Sequence, residues 1–215
     1  MKTIILDFDG TIADTRTLIV QTMQAVIAEL QLPARSDEQC AAMIGLPLKQ
    51  TFTDLIPMTD EMGLLCETTY RRIFFENVTK MPVPVFPQVV ETIRQLKAEG
   101  YVLTVASSRS KASLMNFLTN MQLTDCIDIV LGADDVTKAK PDPEPVFITL
   151  QQLGMQADDA IVVGDTTFDI EMGRRAGCRT CGVTYGNHTK EQLLAAGADH
   201  IIDDFAELTG ILHEL

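Results

Sequence analysis

From residue 88 onward the chain alternates without a break between helix-like and strand-like stretches. Helices are expected over 88–99, 111–121, 143–153, 167–176, 190–196 and 204–212, and strands over 101–106, 127–131, 160–163, 179–184 and 200–202. Gly100, Gly154 and Gly177 each fall just past a helix, where a left-handed residue commonly closes the last turn. Thr189 with Gln192 reads as a capping box. One more strand, Thr3 to Leu6, stands at the N-terminus. Strands separated by helices pair in parallel through right-handed crossovers, and a parallel sheet is covered on both faces. The expected fold class is therefore α/β, a doubly wound, mostly parallel sheet. Ligands of such sheets sit at the carboxyl ends of the strands, beside the point where the strand order reverses.

Residues 15–82 break this rhythm and show helical periodicity only. Arg16 to Gln31 carries Ile19, Met23, Val26, Ile27 and Leu30 on one face, and Pro33 ends it. Ser36 with Gln39 forms a second capping box, opening a short helix through Ile44. Lys49 to Leu55 can resume the helix. A longer helix from Asp60 to Lys80 carries Leu64, Leu65, Tyr70, Ile73, Phe74 and Val78. The proline-rich stretch from Met81 to Pro87 then reads as a stiff hinge. The expected organisation is an α/β core of residues 1–14 and 83–215, with an all-helical domain inserted as residues 15–82.

The polar residues of interest stand where strands end. The first strand runs into Asp7-Phe8-Asp9-Gly10-Thr11. Alternation of side chains sends Asp7 and Asp9 to the same side, Gly10 lets the backbone turn, and Thr11 brings a hydroxyl near both acids. Two carboxylates this close repel, and the remedies are protonation of one or a bound cation, for which oxygen ligands alone suit a hard ion such as Mg²⁺. Ser107 and Ser108 follow the strand at 101–106, directly before a helix, where hydroxyls and helix N–H groups suit phosphate oxygens. Lys140 precedes Pro141-Asp142-Pro143 at a helix start. Asp165 ends the strand at 160–163, and Asp169 lies four residues on, in the first turn of the next helix.

These four clusters, in this order, resemble the four motifs of the haloacid dehalogenase-like phosphohydrolases. The resemblance covers essentially the whole chain and implies that family's Rossmann-like core. It also implies a chemistry: Asp7 as nucleophile, forming an aspartyl-phosphate, and Asp9 as general acid and then base. Ser107, with Ser108, Gly10 and Thr11, would bind the phosphoryl group, and Lys140 would compensate its charge. Mg²⁺ would be held by Asp7, the backbone carbonyl of Asp9, and Asp165, with Asp169 direct or through water. Family members that dehalogenate or cleave phosphonates lack an aspartate at the position of Asp9, so ester or anhydride hydrolysis is implied. The helical insert resembles a C1-type cap of the phosphoglycolate phosphatase-like subgroup, in which Lys49 and Arg72 become candidate substrate contacts. A small phosphomonoester resembling phosphoglycolate is the expected substrate. The alternatives are inorganic pyrophosphate, a sugar phosphate, a mutase resembling β-phosphoglucomutase, and an inactive scaffold that only binds partners.

The chain has 215 residues and a formal net charge of -13, which argues against wholesale binding to nucleic acid or to an anionic membrane. No apolar run approaches the roughly 18 to 20 residues of a membrane span. The N-terminus enters the first strand without room for a signal peptide, and the five cysteines lack disulfide-framework spacing. A reducing cytoplasm is the expected location, and no interface or oligomeric state can be read from the chain. Cys178 and Cys181 are spaced C-x-x-C, but on a strand their sulfurs would face opposite ways. His188, His200 and His213 show no ligand spacing and read as surface or loop residues.

Overall fold

The first strand, β1 (Thr3–Leu6), is buried along its whole length and lies between two others. Its residues alternate between the two faces of the sheet: Ile4 and Leu6 enter one apolar cluster and Ile5 the other. The computed structural model describes residues 3–79 and 83–214. Beside β1 lie β2 (Val102–Ala106) and β3 (Ile129–Leu131) on one side, and β4 (Ala160–Gly164), β5 (Arg179–Val183) and β6 (His200–Ile202) on the other. All five pairings are parallel, and the order is β3-β2-β1-β4-β5-β6. The order reverses between β1 and β4, so this is where the sheet opens a crevice for a ligand.

Four helices form the insert: α1 (Arg16–Glu29), α2 (Asp37–Ala41), α3 (Leu48–Leu55) and α4 (Asp60–Val78). Both α1 and α3 pack on α4, and Ile19, Met23, Val26 and Ile27 share a buried cluster with Tyr70, Ile73 and Phe74. Ser36 and Gln39 close the expected capping box on α2. The core then supplies α5 (Val89–Ala98), α6 (Lys111–Asn120), α7 (Glu144–Leu153), α8 (Thr167–Ala176), α9 (Lys190–Ala196) and α10 (Leu208–Glu214). Gly154 (φ +66°) and Gly177 (φ +81°) take the left-handed conformation that ends α7 and α8.

Chain passes between core and insert along two adjacent segments. The Asp14 N–H donates to the Pro84 carbonyl (2.9 Å) and the Phe86 N–H to that of Ile12 (3.2 Å). The start of the expected hinge, with Met81 and Pro82, lies outside the described residues, as does Lys80 at the expected helix end. Among the described residues no helix is long and apolar enough to cross a membrane. Cys178 and Cys181 pack into clusters on opposite faces of the sheet, and burial pushes their thiols up to about 11 and about 12. That disposition removes them from paired redox or zinc chemistry.

Candidate active site

At the carboxyl edge of the sheet, β1 delivers Asp7, β4 delivers Asp165, and the first turn of α8 delivers Asp169. All three are buried, and one carboxylate oxygen from each lies within 4.8 Å of the others. The Lys140 ammonium sits among them, donating to Asp7 Oδ1 (2.6 Å) and Asp169 Oδ1 (2.5 Å). Burial opposes its charge, but Asp169 and Asp7 outweigh that and hold its pKa above the ordinary lysine range. One ammonium does not balance three acids. Burial pushes Asp7 well above the usual carboxylate range, against the pull of Lys140, and Asp169, Asp165 and Asp9 add repulsion. Asp165 is pushed up to about 7 by burial and by Asp169, although Asn187 opposes the shift. Three buried oxygen donors with net negative charge are a fitting set for a hard divalent cation.

The acids are oriented by neighbours. Thr11 Oγ1 donates to Asp165 Oδ1 (3.2 Å), while the Asn187 backbone N–H (2.7 Å) and side-chain Nδ2 (2.8 Å) donate to Oδ2. Asp169 accepts from the Thr166 N–H (3.1 Å) and hydroxyl (2.7 Å), which also caps α8. Gly10 is at φ +89°, and a methyl group there would run into the Asp165 carboxylate and the Asn187 carboxamide. Gly10→Ala is accordingly expected to cost at least about 1 kcal/mol in unfolding free energy and to suppress activity, measured by urea titration and turnover.

Asp9 does not join the three-acid cluster with its side chain. Both its oxygens accept from Arg109, Oδ1 from Nη2 (2.5 Å) and Oδ2 from Nε (3.1 Å). That guanidinium is buried between rings, its Cζ 4.7 Å from the centroid of Phe74 in the insert and 5.1 Å from that of Phe117 in the core. Ser107 lies at the end of β2 and accepts from the Arg109 N–H at Oγ (3.2 Å). Ser108 Oγ instead donates to the Gly45 carbonyl of the insert (2.6 Å), tying the two parts together over the site.

The cap cations and His188 lie outside this constellation. Lys49 pairs with Asp60 (2.9 Å), and Arg72 pairs with Glu29 (2.6 Å) and Glu76 (3.3 Å), all exposed surface pairs outside the lining of the site. His188 lies in the loop before α9, as expected. It is buried, and its Nδ1 accepts from the Thr167 N–H at the start of α8 (3.0 Å). Burial holds its pKa below the usual histidine value, against the opposing influence of Asp169 and the Ala42 carbonyl. Arg109, Asn187 and His188 were not assigned to the site from sequence. The signal for Arg109 was an arginine directly behind the Ser107-Ser108 pair; for Asn187 and His188 no local pattern stands out.

Known proteins carry the same framework. Residues 4–183 match the model of the haloacid dehalogenase-like hydrolase family. The chain is a haloacid dehalogenase-like hydrolase. This hydrolase is 39% identical over 215 residues to a protein of Dickeya dadantii named probable phosphatase IndB, covering 99% of this chain and 94% of that one. It is 31% identical to the pyrophosphatase PpaX of Listeria innocua, covering 100% of this chain and 97% of that protein. A structure described as a predicted phosphoglycolate phosphatase from Haemophilus somnus superposes with a TM-score of 0.88 at 25% identity, covering 99% of this chain and 98% of the other. The fold also matches a predicted phosphatase from Clostridium acetobutylicum, with a TM-score of 0.90 at 23% identity and complete coverage of both chains.

Proposed function

We propose that this hydrolase is a Mg²⁺-dependent phosphomonoesterase acting on a small phosphorylated metabolite. The observation that carries the reading is the convergence of buried Asp7, Asp165, Asp169 and Lys140 at the sheet's switch point. Asp7, Asp165 and Asp169 would hold the metal, with the Asp9 backbone carbonyl as a further oxygen. When bound, the cation supplies positive charge that keeps the acids ionised and offsets their repulsion of a phosphate dianion.

Lys140 engages one oxygen of Asp7 and leaves the other to attack phosphorus. As the new O–P bond forms, the bond from phosphorus to the leaving oxygen breaks, and that oxygen takes its electron pair and a proton from Asp9. Water then gives a proton to Asp9 and attacks phosphorus, releasing phosphate and restoring the Asp7 carboxylate. Arg109 occupies one acceptor site on each Asp9 oxygen, which leaves a second site on each for the proton that is transferred. Ser107 would meet the phosphoryl oxygens, and the Gly10–Thr11 turn, whose N–H groups donate to Ala13 and Phe8 and whose hydroxyl donates to Asp165, would hold the acids in place beside it. The unpaired state of all five cysteines suits a reducing compartment such as the cytoplasm.

A second reading, hydrolysis of a phosphoanhydride, is favoured by the similarity to the PpaX pyrophosphatases. The test is phosphate release by the purified protein from phosphoglycolate, pyrophosphate, sugar phosphates and alkyl phosphates, with Mg²⁺ and with EDTA. Release that EDTA abolishes is the expected result; release indifferent to EDTA would remove the metal, and none at all would remove the activity.

The acids also predict a pH-dependent metal effect. A carboxyl whose folded-state pKa is raised costs stability as pH climbs from the unfolded value through the folded one, which for Asp165 is about 7. Mg²⁺ binds the deprotonated acids and removes that penalty. The Mg²⁺-induced rise in thermal midpoint should therefore be larger at about pH 8 than at about pH 6. An equal rise at both would show that the three acids do not hold the ion.

A further inference from the structure

Beyond Asp7 and Asp9 the site opens into a cavity of about 600 Å³ between core and insert. Its size falls within the range of pockets that enclose whole organic ligands, roughly 300 to 1,000 Å³. The insert's side of this cavity is mostly apolar, with Thr51, Arg71 and Thr79 as its polar exceptions. Ile19 and Met23 come from α1, Leu48 from α3, and Phe74, Phe75 and Val78 from α4. Phe75 is 69% exposed and carries the apolar wall out to the mouth.

Charge is what separates the possible leaving groups. Pyrophosphate would leave a phosphate in this cavity, and phosphoglycolate a carboxylate, so each needs a free cation there. Among the described residues the cavity wall holds two cations. Arg109 is already bidentate on Asp9, and Arg71 stands at the solvent edge, about half exposed, in a weak surface pair with Glu67 (2.7 Å). Lys49 and Arg72, the other cap cations considered, do not reach the cavity and are paired elsewhere. The opposite wall, on α6, offers uncharged donors and acceptors in Ser113, Asn116 and Asn120.

We infer that the substrate is the phosphomonoester of an uncharged alcohol bearing an aromatic or similarly bulky apolar group. The ring lies against the α1 and α4 side chains while the phosphate reaches Asp7. This inference rests on the phosphomonoesterase reading and narrows it, setting the anionic substrates aside.

The test compares kcat/KM for ethyl, butyl and 2-phenylethyl phosphates, all primary alkyl esters with similar leaving oxygens, alongside phosphoglycolate and pyrophosphate. Burial of a phenyl-sized group is expected to raise kcat/KM by about 10- to 100-fold from ethyl to 2-phenylethyl phosphate. Phe75→Ser, at an exposed position, should shrink that ratio. A flat series, or a preference for phosphoglycolate or pyrophosphate, would overturn the inference and leave the phosphatase reading standing. Calorimetric binding of ethylphosphonate and 2-phenylethylphosphonate in Mg²⁺ separates the two claims. If no ester is hydrolysed, the phosphatase reading fails, and equal binding of the two phosphonates would independently sink the cavity preference. Tighter binding of the phenylethyl compound would support that preference.

Discussion

Asp7→Asn should lower kcat by about 10⁴-fold or more while the protein stays folded. The amide keeps the shape of the carboxylate and can still accept a hydrogen bond from Lys140, but it is a poor nucleophile toward phosphorus. Folding is not expected to suffer, because Lys140 keeps Asp169 as a partner at 2.5 Å. The substitution also removes one of several mutually repelling buried acids. The thermal midpoint should therefore move by no more than about 5 °C. Steady-state phosphate release and a thermal melt on the same preparation check both halves. Activity within tenfold of the parent protein would exclude Asp7 as the attacking group.

Lys140→Met should have the largest effect on stability. The ammonium is 3% exposed and lies between Asp7 and Asp169, so its removal leaves buried carboxylates facing one another without compensation. Breaking a buried ion pair by deleting one member costs about 3–5 kcal/mol, or about 6–20 °C in a chain of this size. Turnover should fall by about 10²- to 10³-fold, the scale for losing one positioned electrostatic contact to a reacting group. Added Mg²⁺ should narrow the stability gap, since it supplies charge to the same oxygens. Equal melting of variant and parent without metal would show that Lys140 is not needed to offset the acids.

What the sequence disclosed is what local rules govern. Strand ends, capping boxes at Ser36 and Thr189, and helix-closing glycines depend on residues a few positions apart, and each appears where expected. The acids at strand ends were legible because a parallel sheet assembles those ends at one edge. The pairing of Asp9 with Arg109 spans 100 positions and depends on Phe74 and Phe117 closing round the guanidinium, so no spacing announces it. The surroundings of Lys49 and Arg72 were hidden for a related reason. A cation on a helical insert is as readily claimed by an acid on a neighbouring turn as by a ligand, and here Asp60, Glu29 and Glu76 claim them. His188 lies in a loop by sequence yet is buried there against the start of α8. Adjacent Phe74 and Phe75 divide their roles, one stacked on Arg109 and one at the cavity mouth, which helical periodicity alone does not separate.

The register of the sheet acts as a ruler. Leu6 stands level with Val105 on one side and Val163 on the other, so Asp7 emerges level with Ala106 and Gly164, one step before Ser107 and Asp165. Losing one residue from within β4 would lower Asp165 by about 3.3 Å and turn its side chain to the opposite face. No rotamer change recovers a displacement of that size. Strand lengths in this chain are therefore fixed by its chemistry, and natural variation in length has to accumulate in the insert and in the loops away from the sheet's carboxyl edge.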